Sequence, residues 1–142
     1  MVEQTLGILK PDCVERRLMG KVLAHLEAEG FRIRAGRLVQ LSKVSAGAFY
    51  AVHRERPFFP DLVAFMTSGP CLALLLERED AVAHLRRVIG ATDPAAAAAG
   101  TIRKLYAENK QNNIIHASDS PENARVEAGF FFSRREIAEL GG

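Results

Sequence analysis

The sequence predicts an α/β sandwich whose elements run strand, helix, strand, strand, helix, strand, with extra helices in the middle. Three observations predict it. Apolar runs of strand length alternate with stretches of helical periodicity. The run CLALLL at 71–76 is continuous, as in a central strand covered on its faces. Proline and glycine stand at the expected joints, as in ILKP at 8–11 and EG at 29–30.

Each element follows from its residues. TLGILKP reads as a short buried strand stopped by Pro11, which lacks a ladder donor. Asp12 is placed to cap a helical stretch, and Val22, Leu23 and Leu26 give an apolar face between Leu18 and Glu29. Gly30 stops that helix. FRIRAGRLVQL alternates as a strand, with Phe31, Ile33 and Ala35 on one face before a register shift at Gly36. SAGAFYAVHRE and PDLVAFMTSG supply the extra helices, the second opening at Pro60. EDAVAHLRRVIG puts Val82, Leu85 and Ile89 on one helical face. NNIIHA is the last strand, followed by a helix with Ser120 as cap and Pro121 in its first position. This order matches the ferredoxin-like split unit. Residues 91–113 form a long connection, and long connections are often functional. Inside it, DPAAAAAG is expected as a short helix from Asp93 to Gly100, because alanine is the best helix former.

Composition narrows the function. A chain of 142 residues, 48% hydrophobic and 25% charged, has the makings of one globular domain, residues 1–142. A net charge of +2 is low for a nucleic-acid binder, and no [K/R]-G-[F/Y] motif of an RNA-binding sheet is present. No apolar run reaches membrane-span length, and the N-terminus lacks the succession of a secretory signal. Cys13 and Cys71 form no CxxC pair, which fits two reduced thiols in a cytoplasmic protein. The glycine-rich phosphate motifs are missing, as is any metal cluster. A triphosphate site, if the chain has one, must then be built from side chains. Lys10, Arg86, Thr92 and Arg103 are candidates, since arginine offers phosphate a planar fork and lysine a mobile charge. Each alone also fits a solvated surface residue. In ERPFFPDL, Pro57 and Pro60 stiffen the segment so that its two rings face different ways: one can enter the core and the other form a ledge for a nucleobase, but the segment alone favours a pair of core anchors.

NNIIHASDS, residues 112–120, holds the sharpest question. His116 ends an apolar strand and meets a burst of small oxygen-bearing side chains. It is either an ordinary strand-end histidine or a nucleophile, which needs a neutral ring, an orienting acceptor and a shielded pocket. Glu127, on the helix that follows, and Ser118, in the intervening turn, can supply the acceptor. Spacing alone leaves the two readings level.

Six separated blocks, ILKPD, RPFF, TSGP, GATDP, GTIR and NNIIHASDS, resemble the nucleoside diphosphate kinase family in order and spacing. The resemblance implies a ferredoxin-like sandwich with a four-stranded antiparallel sheet and a two-step exchange of phosphate through a phosphohistidine. It implies that His116 is the nucleophile through Nδ1, oriented by Glu127 and Ser118. It implies that Lys10, Arg86, Thr92, Arg103 and Asn113 hold phosphates and ribose, that Tyr50 lies against the histidine, and that Phe58 stacks on the base. It also implies magnesium (Mg2+) bridging phosphates rather than caged by protein, and assembly as a tetramer or hexamer. The chain departs from the family at Cys13 and Ala117, where glycine is usual, and at Lys104, Leu105 and Tyr106 in place of Gly-Asp-Phe. A non-catalytic nucleotide sensor of the same fold is the alternative, keeping the pocket without forming a phosphoenzyme.

Overall fold

Pro11 does end the first strand. In the computed structural model, which describes residues 2–141, β1 spans Val2–Leu9 and α1 spans Pro11–Glu15. The cap of α1 is Lys10, not Asp12 as expected: proline takes the first helical position and leaves Asp12 buried inside the first turn. The chain breaks at Arg17, whose φ is 58°, and restarts as α2 (Met19–Ala28), with Val22 and Leu26 in the core. Gly30, at φ 86°, turns the chain into β2 (Arg32–Val39). The register shift in β2 falls between Ile33 and Ala35, ahead of the expected Gly36. An irregularity at Arg34 reverses the alternation, so Ile33 packs on one side of the sheet and Ala35 on the other.

The middle helices are α3 (Lys43–Phe49), with a reciprocal Ser42–Ser45 cap, a short 3₁₀ turn at Ala51–His53, and α4 (Phe59–Met66). Then come β3 (Cys71–Glu79) and α5 (Ala81–Ile89), in which Val82, Leu85 and Ile89 are buried as their spacing predicts. Residues 93–100 form turns instead of the expected helix. Asp93 draws the Ala95 amide onto its own carboxylate, Gly100 sits at φ 85°, and of these alanines Ala97 alone is buried. Alanine propensity does not nucleate so short a helix without a packed face. The helix of this segment is α6 (Ile102–Tyr106), capped by the Thr101 hydroxyl and anchored by buried Ile102. The last strand, β4, is confined to Ile115–Ala117. After it come α7 (Pro121–Phe131), with Ser120 accepting the Asn123 amide at 3.1 Å, and α8 (Arg134–Glu139), which the sequence reading did not separate.

The four strands pair antiparallel in the order β2-β3-β1-β4, the ferredoxin-like arrangement expected. One core, between the sheet and helices α1, α2 and α5, holds Leu9, Leu26, Leu74, Leu85 and Ile115. The other, under α3, α4 and α7, holds Leu6, Ile8, Leu75, Met66 and Phe132. Cys13 and Cys71 are free and fully buried, and burial pushes their thiols up to about 12 and about 11, so neither is a thiolate. Ala117 lies in β4 opposite Gly7 and is not among the residues of positive φ. Glycine would bring no relief there. Ala117→Gly is expected to lower stability by about 0.5–1 kcal/mol in a urea titration, and a gain in both melting temperature and turnover would contradict this.

Candidate functional site

Alternation along β4 decides where His116 points. Ile115 and Ala117 enter the core beneath α5, so His116, paired with Ile8, faces the opposite side under α7. There the imidazole Nε2 lies 2.8 Å from Glu127 Oε1, and the Ser118 hydroxyl donates to the same oxygen at 2.7 Å. A carboxylate only accepts, so Nε2 carries the hydrogen and Nδ1 keeps its lone pair. Burial lowers the His116 pKa below its usual 6.5 and outweighs the bond and charge of Glu127, while the positive charges of Lys10 and Arg103 add to the lowering. Burial pushes Glu127 the other way, but the His116 and Ser118 bonds hold its carboxyl below the ordinary range. At neutral pH the pair is a neutral ring against a carboxylate. Phe49 and Tyr50 close two sides edge-on, with ring centroids 5.4 and 5.9 Å away, and the imidazole side chain is 20% exposed. The Tyr50 hydroxyl is buried without a partner among the described residues, and burial raises its pKa, so it stays protonated.

The cations gather around the same strand. Arg86, on α5, donates to the carbonyl of Ala117 at 3.2 Å, and Arg103, on α6, donates to that of Ile115 at 2.7 Å. The two guanidinium groups thus anchor on either side of His116. Arg103 also donates to the carbonyls of Asn113 and Gly90, at 3.3 and 3.0 Å. Its pKa is lowered to about 10 by burial and by Arg86, which leaves it charged at neutral pH. Lys10 is not a solvated surface cation. It is buried, with Nζ donating to Asn113 Oδ1 at 2.7 Å, and burial and Arg103 lower it to about 8. The Asn113 amide nitrogen donates to the carbonyls of Thr92 and Lys110. Thr92 itself is exposed.

A close approach holds the long connection against α5. A Cβ on Gly90, at φ 88°, would stand 2.6 Å from the Thr101 hydroxyl, so only glycine fits. This contact joins GATDP to GTIR. Phe58 and Phe59 are not a pair of core anchors: Phe59, in the first turn of α4, packs against the core, and Phe58 is 49% exposed with its ring 5.4 Å from His53. The sequence reading missed two contacts. Phe49 had no signal beyond its place next to Tyr50, and Asp12, taken for a cap, instead accepts the Ile114 amide at 3.1 Å.

Among the described residues no group of three acidic, histidine or cysteine side chains is placed to hold a metal ion. Lys10, Arg86 and Arg103 make the surroundings of β4 cationic, which suits an anion. No helix of the described residues is long and apolar enough to cross a membrane.

The family model for nucleoside diphosphate kinase matches residues 3–137. A nucleoside diphosphate kinase of Chlorobium chlorochromatii is 60% identical over 136 residues, 96% of this chain and 97% of that relative. The solved nucleoside diphosphate kinase of Aquifex aeolicus superposes with a TM-score of 0.93 at 48% identity, covering 96% of this chain and 99% of that one. A halophilic enzyme of the same name from Halobacterium salinarum, solved in complex with CDP, gives 0.91 at 35% identity with both chains fully covered. Match, identity and superposition agree along nearly the whole length: the chain belongs to the nucleoside diphosphate kinase family.

Proposed function

We propose that His116 carries the phosphoryl group in the family's exchange, which passes the terminal phosphate of a nucleoside triphosphate to a nucleoside diphosphate in two half-reactions. The observation that carries the assignment is the bond from Nε2 to Glu127, which leaves Nδ1 unprotonated on a ring that feels the charges of Lys10 and Arg103. In the first half-reaction Nδ1 attacks the γ-phosphorus, a nitrogen–phosphorus bond forms, and the bond to the bridging oxygen breaks to release the diphosphate. Positive charge grows on the ring, and Glu127, held in place by the Ser118 hydroxyl, stabilises it. In the second, a terminal oxygen of a new diphosphate attacks the same phosphorus and restores the free histidine. Lys10, Arg86 and Arg103 offset the charge on the transferring group, and the protonated Tyr50 hydroxyl is a further donor. Thr92 and Asn113 hold phosphate and ribose. Enzymes of this family need a divalent metal. Magnesium carried in by the nucleotide would neutralise part of the phosphate charge alongside Lys10, Arg86 and Arg103.

The test is incubation with γ-labelled ATP, which should leave acid-labile, alkali-stable label on the chain. The rate of labelling should fall on the acid side as His116 protonates, below pH 6.5, and on the alkaline side as Lys10 loses its proton near about 8. A flat profile across that range would remove both groups from the mechanism.

Phe58 is the proposed base ledge. Stacking serves any base, since every base has a π-face, and the cations act on phosphates common to all nucleotides. Phe58→Ala is expected to cost about 1–3 kcal/mol in kcat/KM for adenosine, guanosine, cytidine and uridine diphosphates alike, purines somewhat more. A strong preference of the unmodified protein for one base would point to an edge-reading pocket instead. Assembly as a tetramer or hexamer in the cytoplasm completes this reading.

A further inference from the structure

We propose that Asp12 is a positioning residue for phosphoryl transfer: it clamps the turn between Asn113 and Ile115 and so fixes His116 relative to Lys10 and Asn113. The inference rests on His116 being the phosphoryl carrier.

The turn is strained. The Ile115 amide donates back to the Asn113 carbonyl at 2.9 Å, closing a three-residue turn with Ile114 at its centre and a φ of 76°. A β-branched residue rarely adopts that conformation, and it persists only where the surroundings over-determine it. Here the Lys10 amide donates to the Ile114 carbonyl at 2.8 Å, and Arg103 binds the carbonyls of Asn113 and Ile115 on either side. The amide of Ile114 itself goes to Asp12 Oδ2 at 3.1 Å. Asp12 thus bonds the left-handed residue directly, from α1, across 102 positions of sequence.

Two further facts set Asp12 apart from an ordinary structural carboxylate. It is 5% exposed, and its other oxygen, Oδ1, is buried with no hydrogen-bond partner among the described residues. Burying a carboxylate with an unsatisfied oxygen is unfavourable, and burial accordingly raises its pKa. It also supplies the negative charge that opposes burial and Arg103 at Lys10. The groups acting on Lys10 are therefore Asp12 from α1 and Arg103 from α6, with His116 on β4 feeling Lys10 in turn. Losing the clamp frees the turn that carries Asn113 on one side and His116 on the other. Losing the charge lets Lys10 deprotonate at lower pH.

The two roles separate in two variants of the full chain. Asp12→Asn keeps an oxygen for the Ile114 amide but removes the charge, whereas Asp12→Ala removes both. Single-turnover labelling with γ-labelled ATP is measured over a pH series, with binding of ADP and thermal melting alongside. Asp12→Ala is expected to lose roughly 10- to 100-fold in maximal labelling rate, with a smaller change in ADP binding. Asp12→Asn is expected to keep most of the rate while its alkaline limb moves below that of the unmodified protein. If Asp12→Ala does not fold, Asp12→Glu, which keeps the charge but displaces the acceptor, replaces it and is expected to lose at least roughly 10-fold. An Ala or Glu variant that is folded and labels at the unmodified rate overturns the clamp. An Asn variant with an unmoved alkaline limb overturns the electrostatic part. Absence of label on the unmodified protein would instead defeat the assignment of His116, a separate and visible failure.

Discussion

His116→Ala is expected to abolish labelling by γ-labelled ATP and transfer to nucleoside diphosphates, while fold and nucleotide binding persist. The side chain sits at the edge of the second core, and its removal leaves Glu127 with the Ser118 bond and the strand ladder to β1 intact. Glu127→Ala should be milder, by roughly 10- to 100-fold, because an orienting acceptor is lost rather than the nucleophile. Circular dichroism and ADP titration check that both variants remain folded and bind. Undiminished label on His116→Ala would move the chemistry to another residue.

Arg103→Leu is expected to cost both stability and labelling. Its guanidinium serves the carbonyls of Gly90, Asn113 and Ile115. The Asn113 carbonyl keeps the Ile115 amide, but leucine gives the other two no donor. The Ile115 carbonyl is buried and that of Gly90 half-buried, and a buried acceptor left unpaired costs about 1–3 kcal/mol, so a loss of at least that size is expected by urea denaturation. Arg86→Leu provides the contrast. That residue is exposed and makes one bond of 3.2 Å, so its removal should be felt in labelling more than in stability. A stability loss for Arg103→Leu no larger than that of Arg86→Leu would mean that the buried guanidinium does not hold the turn together.

Much of this was legible in the sequence for identifiable reasons. The order of elements followed from apolar runs and from punctuation by Pro11, Gly30, Ser120 and Pro121. Glu127 and Ser118 were within reach of His116 because a strand, a short turn and a returning helix leave little freedom. The misses were tertiary. Nothing local says that Asp12 will bond an amide at residue 114 rather than its own helix, since the competing partner lies far along the chain. The alanines of 93–100 have helical propensity, but no apolar face waits to receive them. The shift in β2 moved to Arg34 because the two cores require Ile33 and Ala35 on opposite sides. The convergence of Lys10, Arg86 and Arg103 on one strand needed the long connection folded, and spacing carries no information about that.

The sheet order has a consequence for how the chain comes off the ribosome. β1 is made first yet lies inside the sheet, and neither neighbour is near it in sequence. Leu6 waits for Leu75, and Ile8 for His116. Contacts so distant pay their loop-closure entropy before they gain anything, which slows folding. Until β3 is synthesised, the segment TLGIL is an apolar strand with two open edges, the kind of segment that pairs with other chains. A nascent chain stopped before residue 115 still has one of those edges open, and it lacks the proposed nucleophile as well. The last strand that shields the nascent protein from aggregation is thus the one that makes it an enzyme, and truncated products should be found in inclusion bodies rather than as soluble nucleotide binders.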